Sequence, residues 1–216
     1  MTLNEIKLST LMLMFTNYGD DLRDCDVDEM TDSTYTKYTV NMDASINRAL
    51  SRIEAAKVLP LKTVVLTPEN AVKTENKSRF GDYLTRWDLS SLASDFSAVC
   101  RVAEVSSWGY VSSISYEMEG NTIVLPNISE YEGEYSVLYY YRPKRINPAS
   151  PSNTVIDVPD YIAEIIPYWV KADLYEEDEP SAAVAARNIF EQMLSDIVRP
   201  DSNGQGGVKN NFVGVI

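Results

Sequence analysis

Apolar residues recur at intervals of three and four along the last quarter of the chain, which is typical of helices with one buried face. Two such helices are predicted, separated by the acidic residues 176–179 and by Pro180. Because the connection is short, we expect an antiparallel hairpin over residues 156–199 that buries the two apolar faces together. The residues predicted to pack inside this hairpin are Tyr161, Ile165, Trp169, Leu174, Ile189, Phe190 and Met193.

Two prolines bear on the first arm of the hairpin. Pro159 suits the start of a helix, with Asp157 before it as a candidate cap. Pro167 lies within the predicted helix and has no backbone N–H to donate. We therefore expect Pro167 to kink the first arm.

The N-terminal part is also predicted to be helical. Thr2 and Glu5 have the spacing of a capping box, in which two side chains accept hydrogen bonds from free backbone N–H groups at a helix start. Apolar residues then follow on one face, and the helix is expected to end near Gly19. The polar, acidic residues 20–36 indicate a loop, and a further amphipathic helix is predicted from Asn41.

The helix predicted from Asn41 carries two like charges on its outer face. Arg48 and Arg52 are one turn apart, a spacing at which two cations repel each other mildly. We therefore expect something acidic opposite the two arginines, and we prefer the interpretation that they lie on a solvated face and pair with nearby aspartate or glutamate.

Between the helical parts the apolar pattern changes to short, alternating and β-branched runs, which predict strands. Gly120 lies where a tight hairpin turn is expected. Both faces of the last run are apolar or aromatic, so it is expected to be a central strand or a strand at a subunit contact. The predicted strands cover residues 61–67, 83–87, 99–105, 110–116, 122–125 and 134–141.

Together these patterns predict an α+β protein in which an antiparallel sheet or small barrel is inserted into a helical scaffold. Its predicted parts are N-terminal helices (1–57), a β-rich insertion (58–146), a linker (147–155), the helical hairpin packed on the N-terminal helices (156–199) and a tail (200–216).

The net charge of −13 limits the classes of partner. Affinity for nucleic acid comes largely from lysine and arginine, so the charge argues against a broad basic binding surface. It also argues against an anionic membrane surface as partner. The apolar run at residues 11–15 is too short to span a membrane and follows Glu5 rather than a basic segment. We therefore expect a protein that is cytoplasmic where it is made.

Catalytic and metal-binding patterns are not found in the sequence. It contains no histidine, which removes the commonest general base and metal ligand. Carboxylates alternate over residues 24–28 as in a calcium loop, but Glu29 and Tyr35 occupy the positions that require glycine and a bidentate glutamate. Cys25 and Cys100 lack metal-ligand spacing and are expected to be reduced. No enzymatic activity, cofactor or metal is predicted.

Two groups of residues are candidates for contacts with other proteins. After a polar, glycine-rich spacer at residues 201–208, the tail ends in apolar residues that are expected to dock on a partner; these are Phe212, Val213, Val215 and Ile216. The end of the last strand combines aromatic and basic side chains as a possible subunit or tail contact; these are Tyr139, Tyr141, Arg142, Lys144 and Arg145.

The hairpin resembles a known family. Its order of Pro167-Tyr168-Trp169, Leu174-Tyr175, an acidic run before Pro180, an alanine-rich turn and Phe190-Glu191 is similar to that of the head-tail connector (adaptor or head-completion) proteins of tailed bacteriophages. The resemblance implies a structural virion protein of the neck, made in the host cytoplasm, that is a monomer alone and a dodecameric ring in the particle. It also implies contacts with the portal protein and with a tail or stopper protein, and duplex DNA passing through the ring without specific binding.

On this resemblance the apolar end of the tail is the segment that docks on the portal. Two other classes of function stay open from the sequence. The acidic balance is also compatible with a decoy that mimics DNA and occupies a nucleic-acid-binding host protein. A carbohydrate hydrolase needs only two carboxylates, which can be distant in sequence.

Overall fold

The computed structural model describes residues 1–15, 26–27, 30, 33–76, 83–105, 111–126 and 134–198. Helices lie at both ends of this part of the chain, and the strand-rich middle contains only one four-residue α-helix and a 3-10 turn at Pro68–Asn70. The helices are α1 (Leu3–Met14), α2 (Ser33–Ala56), α3 (Leu89–Leu92), α4 (Asp160–Ala163), α5 (Ile166–Leu174) and α6 (Pro180–Val198).

Helix α1 begins with the predicted capping box. The backbone N–H of Glu5 donates to Thr2 Oγ1 at 3.2 Å, and the backbone N–H of Thr2 donates to Glu5 Oε2 at 2.7 Å. Two donors that an α-helix leaves unpaired at its start are thereby satisfied. The helix ends at Met14, where Phe15 adopts a non-helical backbone, so the prediction of an end near Gly19 is wrong.

Helix α2 begins at Ser33, eight residues before the predicted start at Asn41. The sequence at this end is rich in threonine, which has a low helix propensity, so its pattern predicts a loop up to residue 36. Tyr38 reverses that preference by packing its ring 5.7 Å from Phe15 and 6.2 Å from Tyr175. Tertiary packing therefore decides the start of α2.

The first arm of the hairpin is two helices rather than one kinked helix. Helix α4 ends at Ala163, two residues form a turn, and α5 begins at Ile166 with Pro167 in its first turn. A residue in the first turn of a helix has no acceptor within the helix for its backbone N–H, so proline loses no hydrogen bond there. Pro167 is thus accommodated as a helix start, and the predicted kink is replaced by a break.

The strands form two four-stranded antiparallel sheets. One has the order β1-β8-β4-β5 and the other β2-β3-β7-β6, and the chain alternates between them. The strands are β1 (Lys62–Leu66), β2 (Lys73–Asn76), β3 (Tyr83–Asp88), β4 (Phe96–Val105), β5 (Val111–Ser113), β6 (Glu117–Glu119), β7 (Thr122–Pro126) and β8 (Glu134–Tyr141). The α+β class is confirmed, with two sheets where one was predicted.

Strand β8 lies between β1 and β4, so it is a central strand, which is one of the two predicted alternatives. The predicted turn at Gly120 is confirmed, since it joins β6 to β7 with a backbone φ of 65° that glycine adopts without strain. Strands β2 and β6 and helix α3 were not predicted. Most of their residues are polar, so no apolar alternation marks them.

One connected hydrophobic core joins the helices to the sheets. Helix α5 is its centre on the helical side, because it packs against α1, α2 and α6. On the sheet side, Trp87 is fully buried and its indole N–H donates to the Thr67 carbonyl at 2.8 Å. The five-part division of the chain stays a prediction.

Candidate functional site

The predicted packing residues of the hairpin divide into buried and exposed positions. Ile165 and Phe190 are fully buried, and Trp169, Leu174 and Met193 are partly buried against the core. Phe190 meets Trp169 edge to face with ring centroids 5.0 Å apart, a geometry that aromatic quadrupoles favour. The Arg187 guanidinium also lies over the indole, 3.8 Å from the ring centroid.

Tyr161 and Ile189 differ from the prediction. Tyr161 is 53% exposed and Ile189 is 43% exposed. Tyr161 falls on the four-residue helix α4, which the break before Pro167 separates from α5, so it does not continue the apolar face of the hairpin. Ile189 lies on the outer face of α6, beside rather than within the buried face.

A buried carboxylate joins three helices. Asp173 on α5 accepts hydrogen bonds from Ser45 Oγ at 2.7 Å, Arg48 Nε at 2.7 Å and Arg187 Nη2 at 2.9 Å. Burial by itself would raise the pKa of Asp173, but these three donors outweigh it and hold the pKa below its usual range. Asp173 is therefore a charged anchor between α2, α5 and α6.

The expectation that carboxylates oppose the two arginines of α2 is confirmed. Arg48 pairs with Asp173, and Arg52 makes a two-pronged contact with Glu191 on α6, at 2.9 Å and 2.6 Å. Asp173 was not singled out in the sequence, although a signal exists. It follows Ile166 and Val170 by seven and three residues, which places a carboxylate on the buried face of a helix.

The aromatic residues at the end of β8 are part of the core. Tyr139 and Tyr141 are each 5% exposed, so their rings are not available for the predicted contact with another subunit or with the tail. Burial, with Asp95 accepting the Tyr139 hydroxyl at 3.0 Å and Asp157 close to Tyr141, raises the pKa of both phenols to about 12.

The basic residues after β8 attach the sheet to α2. Arg145 donates to Glu54 Oε2 at 3.1 Å and to the Asn47 carbonyl at 2.7 Å, and Arg142 lies 3.6 Å from Glu54. The Asn47 side chain also holds both backbone groups of Ile146, at 2.7 Å and 2.9 Å. Glu54 and Asn47 are thus junction residues that sequence reasoning missed, because their partners are about a hundred positions away.

Lys144 is exposed and borders an open cleft of about 590 Å³ along β1. The cleft is lined by polar and charged side chains of both signs, among them Asp95, Tyr139, Arg142 and Asp157. Lys62 pairs with Asp95 at 2.5 Å and lies 3.9 Å from the Tyr141 ring centroid. Internal pairing of this kind is structural.

Several predicted features lie outside the described residues. They include Cys25, most of the acidic residues of the calcium-like segment and the whole apolar end of the tail, namely Phe212, Val213, Val215 and Ile216. Among the described residues, no group of three or more His, Cys, Asp and Glu side chains is placed to hold a metal ion. None of the helices in the described ranges is long and apolar enough to cross a membrane.

Comparison with known proteins identifies the chain through its family. No curated protein matches it. The family model described as SU10 adaptor protein matches residues 16–209, which is most of the chain and includes both sheets and the complete hairpin. The chain therefore belongs to the SU10 adaptor protein family, and it is a phage adaptor protein and a virion component, as its resemblance to the head-tail connectors predicts.

Proposed function

We propose that this protein forms a ring of identical subunits beneath the portal, joins the DNA-filled head to the tail and surrounds the channel through which DNA passes. The observation that carries the proposal is the family match over residues 16–209. It favours a structural connector over the DNA-mimic decoy and over a hydrolase, because the matching family is one of adaptor proteins.

The distribution of charge is compatible with a DNA channel. The turn between α5 and α6 presents four consecutive exposed carboxylates at residues 176–179. The arginines Arg48, Arg52 and Arg145 are each engaged with carboxylates of the same chain, so they are not free to bind phosphates. Like charge on protein and duplex opposes adhesion, which lets DNA move past without being held.

The tail supplies the proposed contact with the portal. Its spacer at residues 201–208 is rich in glycine and polar residues, and the apolar residues 212–216 follow it. Apolar side chains on such a tether gain free energy when they are buried against a partner. The rest of the body then meets a tail or stopper protein on the opposite side.

The direct test compares the purified protein alone with the protein mixed with portal-containing heads. Light scattering gives the mass in solution, and electron microscopy of the heads shows where the protein binds. We expect a monomer in solution and an additional ring of density at the portal vertex. A protein that leaves the portal vertex unchanged at saturating concentration would overturn the proposed function.

Deletion of residues 210–216 tests the tail. We expect a folded protein with an unchanged melting temperature that no longer joins heads, because the docking segment is absent. The matched control is Asn210→Ser with Asn211→Ser, which changes the same segment but keeps its apolar residues and should join heads normally. Normal incorporation of the deleted protein would refute the docking role of the tail.

A further inference from the structure

One face of the sheet β1-β8-β4-β5 carries an arginine without a counter-charge. Residues paired across neighbouring strands lie on the same face, so Leu138 shares this face with its partners Thr63 on β1 and Arg101 on β4. The Arg101 guanidinium forms no hydrogen bond or ion pair within the described part of the chain, and its Nε atom is shielded from solvent. A partly buried cation without an anion is unfavourable, so Arg101 lacks a partner that another molecule can supply.

Lys57 brings a second cation to the same face. Its Nζ lies 5.2 Å from the centroid of the Tyr140 ring, and Tyr140 shares the face of Leu138 because it follows two residues later on β8. Burial, and then the adjacent Cys100 thiol, raise the pKa of Tyr140, so the exposed Cys100 lies here as well. The residues of this basic surface are Lys57, Thr63, Cys100, Arg101, Leu138 and Tyr140.

The basic surface differs from the rest of the chain in its charge. Its six residues include two cations and no carboxylate, in a chain whose net charge is −13. Glu54, at the same end of α2 as Lys57, is already engaged by Arg145 and by Ser97. Neither Arg101 nor Lys57 forms an ion pair with a described residue, so both are available to an anion from outside.

A complementary acidic feature lies on the other sheet. Strands β6 and β7 form a hairpin with its turn at Gly120, and all of its residues from 117 to 121 are exposed. Glu117 has no ion-pair partner in the described ranges, and Glu119, which pairs with Arg86 at 3.2 Å, keeps 55% of its side chain exposed. Met118 between them is 38% exposed. The β6–β7 hairpin therefore offers carboxylates and an adaptable apolar side chain to a basic surface.

We propose that the β6–β7 hairpin of one copy binds the basic surface of the next copy, with Glu117 facing Arg101 and Lys57. Each chain carries both parts, and copies of one protein satisfy both at once, whereas a different acidic partner on the basic surface leaves the hairpin unmatched. The two parts are unlike and belong to different sheets, so the contact is head-to-tail and closes a ring when the rotation allows it. This inference rests on the proposed ring and assigns its subunit contact to particular residues.

Cross-linking tests the pairing directly, with Cys100 as the reporter on the basic surface. One full-length protein carries Cys25→Ser and keeps Cys100. The other carries Cys25→Ser, Cys100→Ser and Met118→Cys, so its single thiol is on the hairpin. The two proteins are incubated singly and mixed, with and without portal-containing heads, and treated with a short bifunctional maleimide. Because unlike parts meet, we expect the mixture on heads to give cross-linked dimer, whereas neither protein alone gives any.

The outcomes separate this inference from the proposed ring. Dimer in the mixture only, on heads, supports the contact. Binding to heads without cross-linking, which is the result if another protein covers the basic surface, overturns the contact and leaves the proposed function standing. Equal cross-linking of either protein alone also overturns the contact. Cross-linking of the mixture in solution by protein that does not bind heads overturns the proposed function and leaves the contact. Failure of both assays overturns both.

A charge reversal provides an independent measurement. Glu117→Lys places a cation opposite Arg101 and Lys57, and like charges at a contact are strongly unfavourable, so incorporation into heads should fall at least about tenfold. Adding Lys57→Glu to the same protein should recover part of the loss. The matched control Glu177→Lys makes the same change in net charge at an exposed residue of the turn before α6, and the melting temperature of each variant confirms its fold. Equal incorporation of Glu117→Lys and Glu177→Lys would overturn the contact.

Discussion

Substitution of Asp173 by asparagine should destabilise the helical part of the protein. The Asp173 side chain is 9% exposed and accepts hydrogen bonds from Ser45, Arg48 and Arg187. Asparagine has nearly the same shape but no charge, so both arginines lose their ionic partner.

The size of the effect follows from the burial of each group. Removing one member of a buried ion pair costs about 3–5 kcal/mol, and a hydrogen bond to a charged group contributes about 1.5–3 kcal/mol. Arg48 is 57% exposed and Arg187 is 30% exposed, so water replaces part of what they lose. We therefore expect Asp173→Asn to lower the free energy of unfolding by about 2–3 kcal/mol.

Glu191→Gln is the matched control. It also removes a carboxylate that pairs an arginine of α2, but both side chains of the Arg52–Glu191 pair are more than a third exposed. Exposed pairs contribute about 0–1 kcal/mol. Urea unfolding of both variants, compared at equal slopes, gives the two losses. A loss for Asp173→Asn no larger than that for Glu191→Gln would refute the view that burial makes Asp173 an anchor.

The pH dependence gives a second readout of the same group. The pKa of Asp173 is lower in the folded protein than its ordinary value, which is about 3.9. A lowered pKa contributes stability that is present above the unfolded value and is lost as the pH falls through the folded value. The stability difference between wild type and Asp173→Asn should therefore shrink below about pH 4.

The remaining predictions concern one backbone position and two phenols. Lys57 has a positive φ of 55° directly after α2, a conformation that glycine adopts without strain. Lys57→Gly should therefore raise the free energy of unfolding, measured by thermal melts, by about 0.5–1 kcal/mol. Lys57→Ala, the control, should give no such gain. Burial raises the pKa of Tyr139 and Tyr141 to about 12, so their contribution to stability should be complete below about pH 10 and decline above it. Denaturant unfolding of wild type and of Tyr141→Phe across this range checks the decline, which should be smaller in the variant.

The features predicted well from the sequence are those that depend on neighbours along the chain. The capping box of Thr2 and Glu5 and the turn at Gly120 are set within four residues, so their local patterns were sufficient. The predicted start of α2 was wrong because Tyr38 packs against Phe15 and Tyr175, which follow the ends of α1 and α5. Strand β2 was missed because it is defined by pairing with β3, and its polar residues show no apolar alternation.

The residues predicted to contact other groups also divide into those set by sequence neighbours and those set by distant parts of the chain. Tyr139 and Tyr141 were interpreted as a surface contact because a run of tyrosines and basic residues at a strand end resembles one. Burial of these rings depends on side chains from other elements, such as Phe96 of β4, whose ring centroid lies 5.9 Å from that of Tyr139, and the sequence of β8 cannot reveal them. By contrast, the repulsion between Arg48 and Arg52 follows from their spacing along one helix. It correctly predicted acidic partners, but it could not identify them as Asp173 and Glu191.

The junction between helices and sheets bears on how an adaptor works. Glu54 on α2 accepts from Ser97 on β4 at 3.0 Å as well as from Arg145, and Asn47 on the same helix holds both backbone groups of Ile146. Each contact joins the helical part to the sheets through hydrogen bonds with fixed direction rather than through apolar packing alone. Directional bonds at two points one helical turn or more apart resist rotation as well as separation. A subunit with such a junction holds its helical surface and its sheet surface in one relative orientation, which the proposed role between the portal and a tail or stopper protein requires.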